Sequence, residues 1–349
     1  MANDELTTPE IPGEKLAAAR ASISPPPSEA SPQTKKRKVI RDDAPPAVEL
    51  RGVTRKFGNV TAVNDVSFVV PEGSVFGLIG PNGAGKTTTF SMLAGYLHPT
   101  DGDVFVLDHR PDSTDALKGK LGVLPQDALL PNNENVGDFL VYLGRMQGMS
   151  ADEAKKNAEE VLAEVDGSAW WKTKCSTLSH GMAKRVGIAQ ALMGKPKVVL
   201  LDEPTAGLDP RVAYRVRQII KSRKGKATLI VSSHNLQELE EICDHAAIMD
   251  RGTLITAGSM SELTASAEEV RYELARGPIP EDAVRKVDGV KTVTFDKGTR
   301  ELIVAFDKGA ADAEEMIRRV TMALYEQNAR ISSVSKGRGL EQRVMELTD

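Results

Sequence analysis

Cysteine is scarce in this chain of 349 residues, and long apolar runs are missing from it. Its two cysteines, Cys175 and Cys243, lie far apart and form no C-x-x-C pair. This spacing offers no disulfide framework and no thiolate metal site, and it favours a reducing compartment. Without a run of about 18 apolar residues no transmembrane helix is expected. No secretory signal is visible, so the predicted location is cytoplasmic.

Neither sign of charge is in large excess, because the formal net charge is −4. The balance gives no global argument for binding nucleic acid, and no nucleic-acid partner is expected. Aromatic residues are absent from residues 1–47, which hold eight of the nineteen prolines. A segment of this composition buries too little apolar surface to offset its ordering entropy, so we predict that it is disordered and that order begins near Val48.

A basic cluster, Lys35, Lys36, Arg37 and Lys38, lies within this predicted tail. Three interpretations remain open at this level: a solvated charged tail, a contact to anionic lipid or a partner, and a nuclear address.

A glycine-rich loop is the strongest signal that the sequence contains. It fits the pattern G-x-x-x-x-G-K-[ST], follows a short apolar strand pattern at 74–79 and precedes a helix pattern at 88–94. Glycines let backbone N–H groups turn inward around a polyphosphate, while the lysine reaches the terminal phosphates and the first threonine hydroxyl can bind Mg²⁺. The candidate nucleotide-binding residues of this loop are Gly80, Pro81, Asn82, Gly83, Ala84, Gly85, Lys86, Thr87 and Thr88.

Short apolar runs alternate with helical patterns along the next part of the chain. Strands are predicted over 48–70, 102–107, 121–124, 198–201 and 228–231, and helices over 179–193 and 210–223. Residues 135–174 read as two helical stretches broken at 148–150. This alternation predicts an α/β domain with a parallel sheet and an inserted helical subdomain.

After Met260 the pattern changes to a small βαββαβ unit, which is typical of a ferredoxin-like fold. Its strands are predicted at 269–274, 290–295, 300–306 and 330–335, with helices at 281–287 and 310–328. An amphipathic piece follows at 340–347.

Polar residues follow three of the apolar strands. Asp202 and Glu203 end the run at 198–201, where Asp202 is placed to hold a metal's water shell and Glu203 to orient or deprotonate an attacking water. Gln126 follows the strand at 121–124 and can touch the metal or that water. His234 follows the strand at 228–231, on the edge of the sheet where ligands of α/β proteins bind.

Taken in order and spacing, these residues resemble the nucleotide-binding subunit of ABC transporters over roughly 48–260. The loop matches Walker A, Gln126 the Q-loop, Asp202 and Glu203 the end of Walker B, residues 206–209 the D-loop, and His234 the switch histidine. Phe57 lies where the family stacks an aromatic ring on adenine. The guanine-reading Asn-Lys-x-Asp is absent, which favours ATP.

The resemblance implies a P-loop NTPase of the ABC type, with a parallel-sheet core, an antiparallel β subdomain and a helical subdomain. A small α+β C-terminal domain follows it. We predict a tail over 1–47, an ATPase domain over 48–262 with its helical subdomain at about 127–190, and an extension over 268–349. ATP and Mg²⁺ are the implied cofactors. The resemblance assigns catalytic roles to Glu203, His234, Gln126 and Lys86. It assigns the binding of Mg²⁺ to Thr87, Gln126 and Asp202.

One segment departs from the family pattern, which is Leu-Ser-Gly-Gly-Gln. The chain has Leu178-Ser-His-Gly-Met182, so Ser179 and Gly181 remain while His180 and Met182 replace glycine and glutamine. In the family this segment binds the γ-phosphate held by the other subunit. Should the backbone at position 180 need a positive φ, histidine costs more there than glycine. The change is then either a tolerated variation or a cause of slower hydrolysis or of a heteromeric pairing.

The resemblance implies an ATPase subunit that powers export through a separate membrane permease of the ABC-2 type. It implies ATP-driven head-to-tail pairing with a second ATPase subunit, as a homodimer, and a peripheral position on the inner face of the plasma membrane. The piece at 340–347 looks like the tail that often ends such subunits, and an amphipathic capping helix is the plainer interpretation. Two alternatives remain: a soluble ABC ATPase with a regulatory role, and an ATP-binding protein with weak turnover.

Overall fold

The computed structural model describes residues 46–126, 130–264, 269–275, 277–307, 309–337, 340 and 344–345. The basic cluster at 35–38 and the predicted tail up to residue 45 lie outside the described residues. The first strand begins at Pro46, two residues before the predicted onset of order.

The described strands are β1 (Pro46–Phe57), β2 (Val60–Pro71), β3 (Val75–Ile79), β4 (Asp101–Val106), β5 (Leu121–Leu124), β6 (Val198–Asp202), β7 (Thr228–Ser232), β8 (His245–Asp250), β9 (Thr253–Ser259), β10 (Glu269–Leu274), β11 (Val290–Asp296), β12 (Glu301–Phe306) and β13 (Ile331–Lys336). The described helices are α1 (Lys86–Leu93), α2 (Thr114–Leu117), α3 (Val136–Met146), α4 (Ala151–Glu164), α5 (His180–Leu192), α6 (Pro210–Arg223), α7 (Leu236–Ile242), α8 (Met260–Thr264), α9 (Glu281–Arg285) and α10 (Ala313–Glu326).

A six-stranded sheet forms the core of the α/β unit, in the order β5-β6-β7-β3-β8-β9. Its strands run parallel except β9, which pairs antiparallel with β8. Every residue of β3, β6 and β7 is buried, as predicted for strands covered on both faces. Alternate side chains enter two different cores, so Val199 and Leu201 pack on one face while Val198 and Leu200 pack on the other.

Three strands form a separate antiparallel sheet in the order β2-β1-β4. Its buried side chains share a core with one face of the central sheet. Phe68 of β2 and Phe76 of β3 stack at this boundary with ring centroids 5.3 Å apart. Packing against the central sheet therefore places the Phe68 region of β2 beside the strand that leads into the glycine-rich loop.

The inserted helices α3 and α4 are separated at the predicted break. Gly148 there has a φ of 98°, a conformation that L side chains rarely adopt. Ser150 and Glu153 then start α4 with a capping box, in which the Glu153 N–H donates to the Ser150 hydroxyl and the Ser150 N–H donates to the Glu153 carboxylate. Helix α5 contacts α4 as well as β5 and β6, so it links the inserted helices to the central sheet.

The C-terminal strands form an antiparallel sheet in the order β11-β12-β10-β13. With α9 between β10 and β11, and α10 between β12 and β13, the elements follow the βαββαβ sequence. They enclose a core of their own, which contains Tyr272, Phe306 and Leu324. The described part of the chain thus combines an α/β unit with a small α+β unit, and both predicted classes are present.

Two residues of the predicted amphipathic piece return to the α/β unit. Leu340 and Val344 are buried and belong to the same core as α7 and α8, and the Leu340 N–H donates to the Glu240 side chain at 3.1 Å. Residues 341–343 and 346–347 lie outside the described residues.

Substituting Tyr272 with phenylalanine tests the packing of the C-terminal unit. The Tyr272 hydroxyl donates to the Ile317 carbonyl at 2.9 Å and accepts from the Thr321 hydroxyl. We expect Tyr272→Phe to lower the free energy of unfolding of this unit by about 1 kcal/mol, because one buried hydrogen-bonding group is lost. Chemical denaturation measures it, and an unchanged stability would contradict the contact.

Burial also raises the pKa of Tyr272 to about 12, from an ordinary value near 10. Between these values the unfolded chain binds fewer protons than the folded one. The Tyr272 contribution to stability is therefore complete below pH 10 and is lost as the pH rises through about 12. Tyr272→Phe should remove this alkaline dependence.

Candidate functional site

The glycine-rich loop occupies residues 80–85, between the end of β3 and the start of α1. A Cβ on Gly80 would lie 2.3 Å from the Met249 carbonyl oxygen, and one on Gly85 would lie 2.6 Å from that of Ala62. Gly85 also has a φ of 94°, so close approach and conformation both require glycine. The loop therefore passes tightly into the N-terminus of α1, an arrangement that suits a phosphate group.

Lys86 folds back over this loop. Its ammonium group donates to the Gly80 carbonyl at 2.7 Å and to the Pro81 carbonyl at 3.0 Å, and the side chain is buried. Burial lowers the pKa of Lys86, while the nearby carboxylates of Glu203 and Asp202 act to raise it. A cation held at the mouth of the loop attracts the terminal phosphates of a nucleotide. Thr87 and Thr88 follow it in the first turn of α1, and Thr87 is exposed.

The two predicted carboxylates lie at the carboxyl end of β6. The Ser232 hydroxyl, at the end of the neighbouring β7, donates to the Asp202 carboxylate and accepts from the Glu203 N–H at 2.9 Å. Burial raises the pKa of Asp202, and the Ser232 hydrogen bond, Lys184 and Lys86 oppose that rise. Sequence reasoning missed Ser232, although a serine that ends an apolar strand just before His234 was a readable signal.

Glu203 and His234 meet at this edge of the sheet. The His234 Nδ1 lies 3.0 Å from the Glu203 Oε2, and since an ionised carboxylate only accepts, the imidazole donates through its Nδ1–H. Glu203 adopts a φ of 49°, which is uncommon for a residue other than glycine and is found preferentially at functional sites. The Glu203 side chain is 13% exposed and that of His234 68% exposed, so the pair is open to solvent on the histidine side.

Gln126 lies two residues beyond β5, which pairs with β6 in parallel. The Gln126 side chain is exposed, and the Gln126 backbone carbonyl accepts from the Lys184 ammonium group at 3.3 Å. Lys184, on α5, thus connects this position to the neighbourhood of Asp202. No sequence motif pointed to Lys184, because its role depends on how α5 packs against the sheet.

The donor atoms at this edge suit magnesium. Thr87, Gln126 and Asp202 offer hydroxyl, amide and carboxylate oxygens, which are the ligand types that Mg²⁺ takes. Within the described part of the chain, no group of three or more His, Cys, Asp or Glu side chains is arranged to hold a metal. A few protein oxygens supplemented by nucleotide phosphates and water match the usual magnesium site.

Phe57 ends β1 with 45% of its surface exposed. The Arg55 guanidinium lies 4.6 Å from the centre of the Phe57 ring and donates to the His98 carbonyl, so it supports one side of the ring. Phe57 and the glycine-rich loop are connected through the antiparallel sheet, because Ala62 of β2, the strand next to β1, lies against Gly85.

Ser179 and Gly181 lie at the start of α5. Ser179 caps the helix, with its hydroxyl accepting from the Met182 N–H at 3.3 Å. Among the described residues, the hydrogen bonds of Ser179 stay within α5, so the structure does not join this segment to the loop at 80–88 of the same chain.

His180 is the first helical residue of α5 and does not have a positive φ, so the conformational cost considered for histidine does not arise. Its ring instead packs against the 206–208 loop, where a Cβ on Gly207 would lie 3.0 Å from the His180 Nε2.

Comparison with known proteins finds relatives over much of the chain. A family model described as ABC transporter matches residues 63–206, and one described as AAA domain, putative AbiEii toxin, Type IV TA system matches residues 176–240. The linearmycin resistance ATP-binding protein LnrL of Bacillus subtilis (strain 168) is 33% identical over 276 residues, covering 77% of this chain and 88% of the relative. The Nod factor export ATP-binding protein I of Burkholderia lata is 36% identical over 224 residues, covering 63% and 73%.

Among solved structures, a dimeric ATP-binding cassette in a post-hydrolysis state, bound to ADP and Pi, aligns with a TM-score of 0.56. At 24% identity it covers 61% of this chain and 98% of its own, which establishes the shared fold.

The chain belongs to the ATP-binding proteins of ABC transporters. The predicted fold class, the ATPase activity and the use of ATP with Mg²⁺ are thereby confirmed.

Proposed function

We propose that ATP binds with its phosphates on residues 80–88 and its adenine on Phe57. Thr87, Gln126 and Asp202 hold Mg²⁺, which supplies charge stabilisation at the phosphates when bound. Glu203 orients the attacking water and takes its proton, and the His234 Nδ1–H holds the Glu203 carboxylate in place. The observation that carries this assignment is the 3.0 Å contact between Glu203 and His234, beside the buried Lys86.

Two copies pair head to tail in this proposal, so that Ser179 and Gly181 of one copy complete the site of the other. The segment supports this role because it opens a helix whose first N–H groups and a hydroxyl can meet an anion. The dimeric cassette among the solved structures supports the pairing.

We place the chain as the energy-supplying subunit of an exporter. One relative is named for Nod factor export and another for linearmycin resistance. No helix in the described residues is long and apolar enough to cross a membrane. In our proposal the export runs through a separate permease of the ABC-2 type, with this subunit on the inner membrane face. The proposed division is an ATPase domain at 48–262, with its helical subdomain at about 127–190, and an extension at 268–349.

Copurification from the native membrane tests the transport assignment. The tagged full-length subunit should bring down a protein with several membrane-spanning helices. A subunit recovered without such a protein, in mild detergent and with ATPase activity intact, would instead favour a regulatory ABC ATPase.

Phe57→Ala tests the adenine contact. We expect the KM for ATP to rise about 10-fold with kcat nearly unchanged, because stacking of an aromatic side chain on a base contributes about 1 to 3 kcal/mol. Phe105→Ala is the matched control, since Phe105 of β4 also carries an arginine over its ring, with Arg51 at 4.9 Å. Equal KM values for both variants would remove Phe57 from the nucleotide site.

A further inference from the structure

Two loops meet beside the reacting groups. One follows β6 and contains Glu203 and Thr205, and the other follows β7 and leads through His234 into α7. Hydrogen bonds join the loops at three levels. Ser232 binds Asp202 and Glu203, His234 binds Glu203, and the Thr205 hydroxyl donates to the Glu238 Oε2 at 2.6 Å. The first two levels belong to the site described above, and the third lies outside it.

The acceptor of this third bond is held firmly. The other oxygen of Glu238 accepts from the Arg217 guanidinium at 2.7 Å. The Glu238 side chain is 15% exposed and that of Arg217 is 16% exposed. The Glu238 N–H donates to the Asn235 side chain, which caps α7 directly after His234. Charge-assisted bonds of this kind are short and strong, so Glu238 is a fixed point for the Thr205 hydroxyl.

The segment that Thr205 anchors needs external support. Glu203 has a φ of 49°, and such backbone conformations persist only where the surroundings over-determine them. Thr205 follows within two residues, in a run of turns closed by the Ala206 N–H to Glu203 carbonyl and Leu208 N–H to Thr205 carbonyl bonds. Fixing Thr205 therefore fixes the direction in which the Glu203 side chain leaves the sheet.

We propose that Thr205 and Glu238 are positioning residues for hydrolysis, which hold the loop of Glu203 in register with the loop of His234. This inference rests on the roles proposed for Glu203 and His234. Among the described residues, no hydrogen bond or ion pair joins either positioning residue to the loop at 80–88. We therefore expect them to affect the hydrolytic step and to leave the binding of ATP unaltered.

Thr205→Val is the test, because it keeps the shape of the side chain and removes only the donor. We expect kcat to fall about 10-fold with KM for ATP within about twofold, since misplacing a catalytic group by a fraction of an ångström has effects of this order. Thr205→Ser restores the hydroxyl and should recover most of the rate. Glu238→Gln should lower kcat by a similar factor, and the double variant Thr205→Val with Glu238→Gln should be no slower than the slower single variant.

Two matched controls separate positioning from general destabilisation. Thr264→Val removes a hydroxyl that donates to the Met260 carbonyl at 2.8 Å in α8, and Glu241→Gln changes the other acid that pairs with Arg217. Both should keep kcat within about twofold of the parent at equal thermal stability.

A wild-type kcat in Thr205→Val, or a serine variant no better than the valine variant, would overturn the inference. A Glu203→Gln enzyme measured alongside separates failure of the positioning role from failure of the proposed catalytic site. If Glu203→Gln is inactive while Thr205→Val is normal, the positioning role alone is wrong; if Glu203→Gln is fully active, the proposed site itself is wrong.

Discussion

Glu203→Gln should reduce ATP turnover about 100- to 1,000-fold while ATP still binds, because general-base catalysis contributes about 10²- to 10⁴-fold. Glutamine is the same size and still accepts the His234 Nδ1–H through its amide oxygen, but it takes no proton from water. The Glu203 backbone bond to Ser232 is also untouched, so the fold should remain.

The measurement pairs a steady-state phosphate-release assay with equilibrium binding of ATP to the same full-length protein. Glu240→Gln changes an exposed acid of α7 for comparison and should keep full turnover, because the glutamine oxygen can still accept from the Leu340 N–H. Undiminished hydrolysis in Glu203→Gln would show that another group activates the water.

Lys86→Ala should weaken ATP binding roughly 10- to 100-fold, because hydrogen bonds to charged groups contribute about 1.5 to 3 kcal/mol. Two effects act together. The cation that faces the terminal phosphates is lost, and the Gly80 and Pro81 carbonyls lose the donor that closes the loop over itself.

Lys184→Ala is a comparison for Lys86→Ala that should weaken ATP binding less, because Lys184 supports the Gln126 position and does not face the phosphates. Both lysines are 8% exposed and both lie near Asp202, but Lys184 donates to the Gln126 carbonyl and stands outside the glycine-rich loop. Isothermal titration with ATP compares the two variants. If Lys86→Ala binds ATP as tightly as the parent, the loop at 80–88 does not hold the phosphates.

Much of the α/β core was predictable because its strands are buried on both faces and read as short apolar runs. The strand predicted at 198–201 is observed at Val198–Asp202, and that at 228–231 at Thr228–Ser232. The C-terminal elements also appear in the predicted order, although the helix predicted at 310–328 is shorter, at Ala313–Glu326.

The region after His234 was not predicted in detail. Helix α7, the strands β8 and β9 and helix α8 follow one another with almost no loops, so few turn residues mark their limits. The two-residue turn between β8 and β9 contains Arg251 and Gly252, both with positive φ. Arginine is not among the residues preferred in such turns, so the sequence did not predict it.

The candidate site also contains residues that the sequence predicted and residues that only the structure revealed. Motif order led to Lys86, Asp202, Glu203 and His234, and the structure brings the last of these against Glu203. Ser232 contacts Asp202, which lies 30 positions away in the sequence, and Thr205 contacts Glu238, which lies 33 positions away. Such pairs arise from the register between neighbouring strands, which the local sequence does not specify.

ATP-dependent association of the full-length Glu203→Gln protein tests the central claim most directly, because blocked hydrolysis lets the ATP-bound state accumulate. Analytical ultracentrifugation with ATP and Mg²⁺ should show a dimer, and the same protein without nucleotide, or with Lys86→Ala added, should sediment as a monomer. A Glu203→Gln protein that binds ATP to saturation and still sediments as a monomer would contradict hydrolysis at sites shared between two copies.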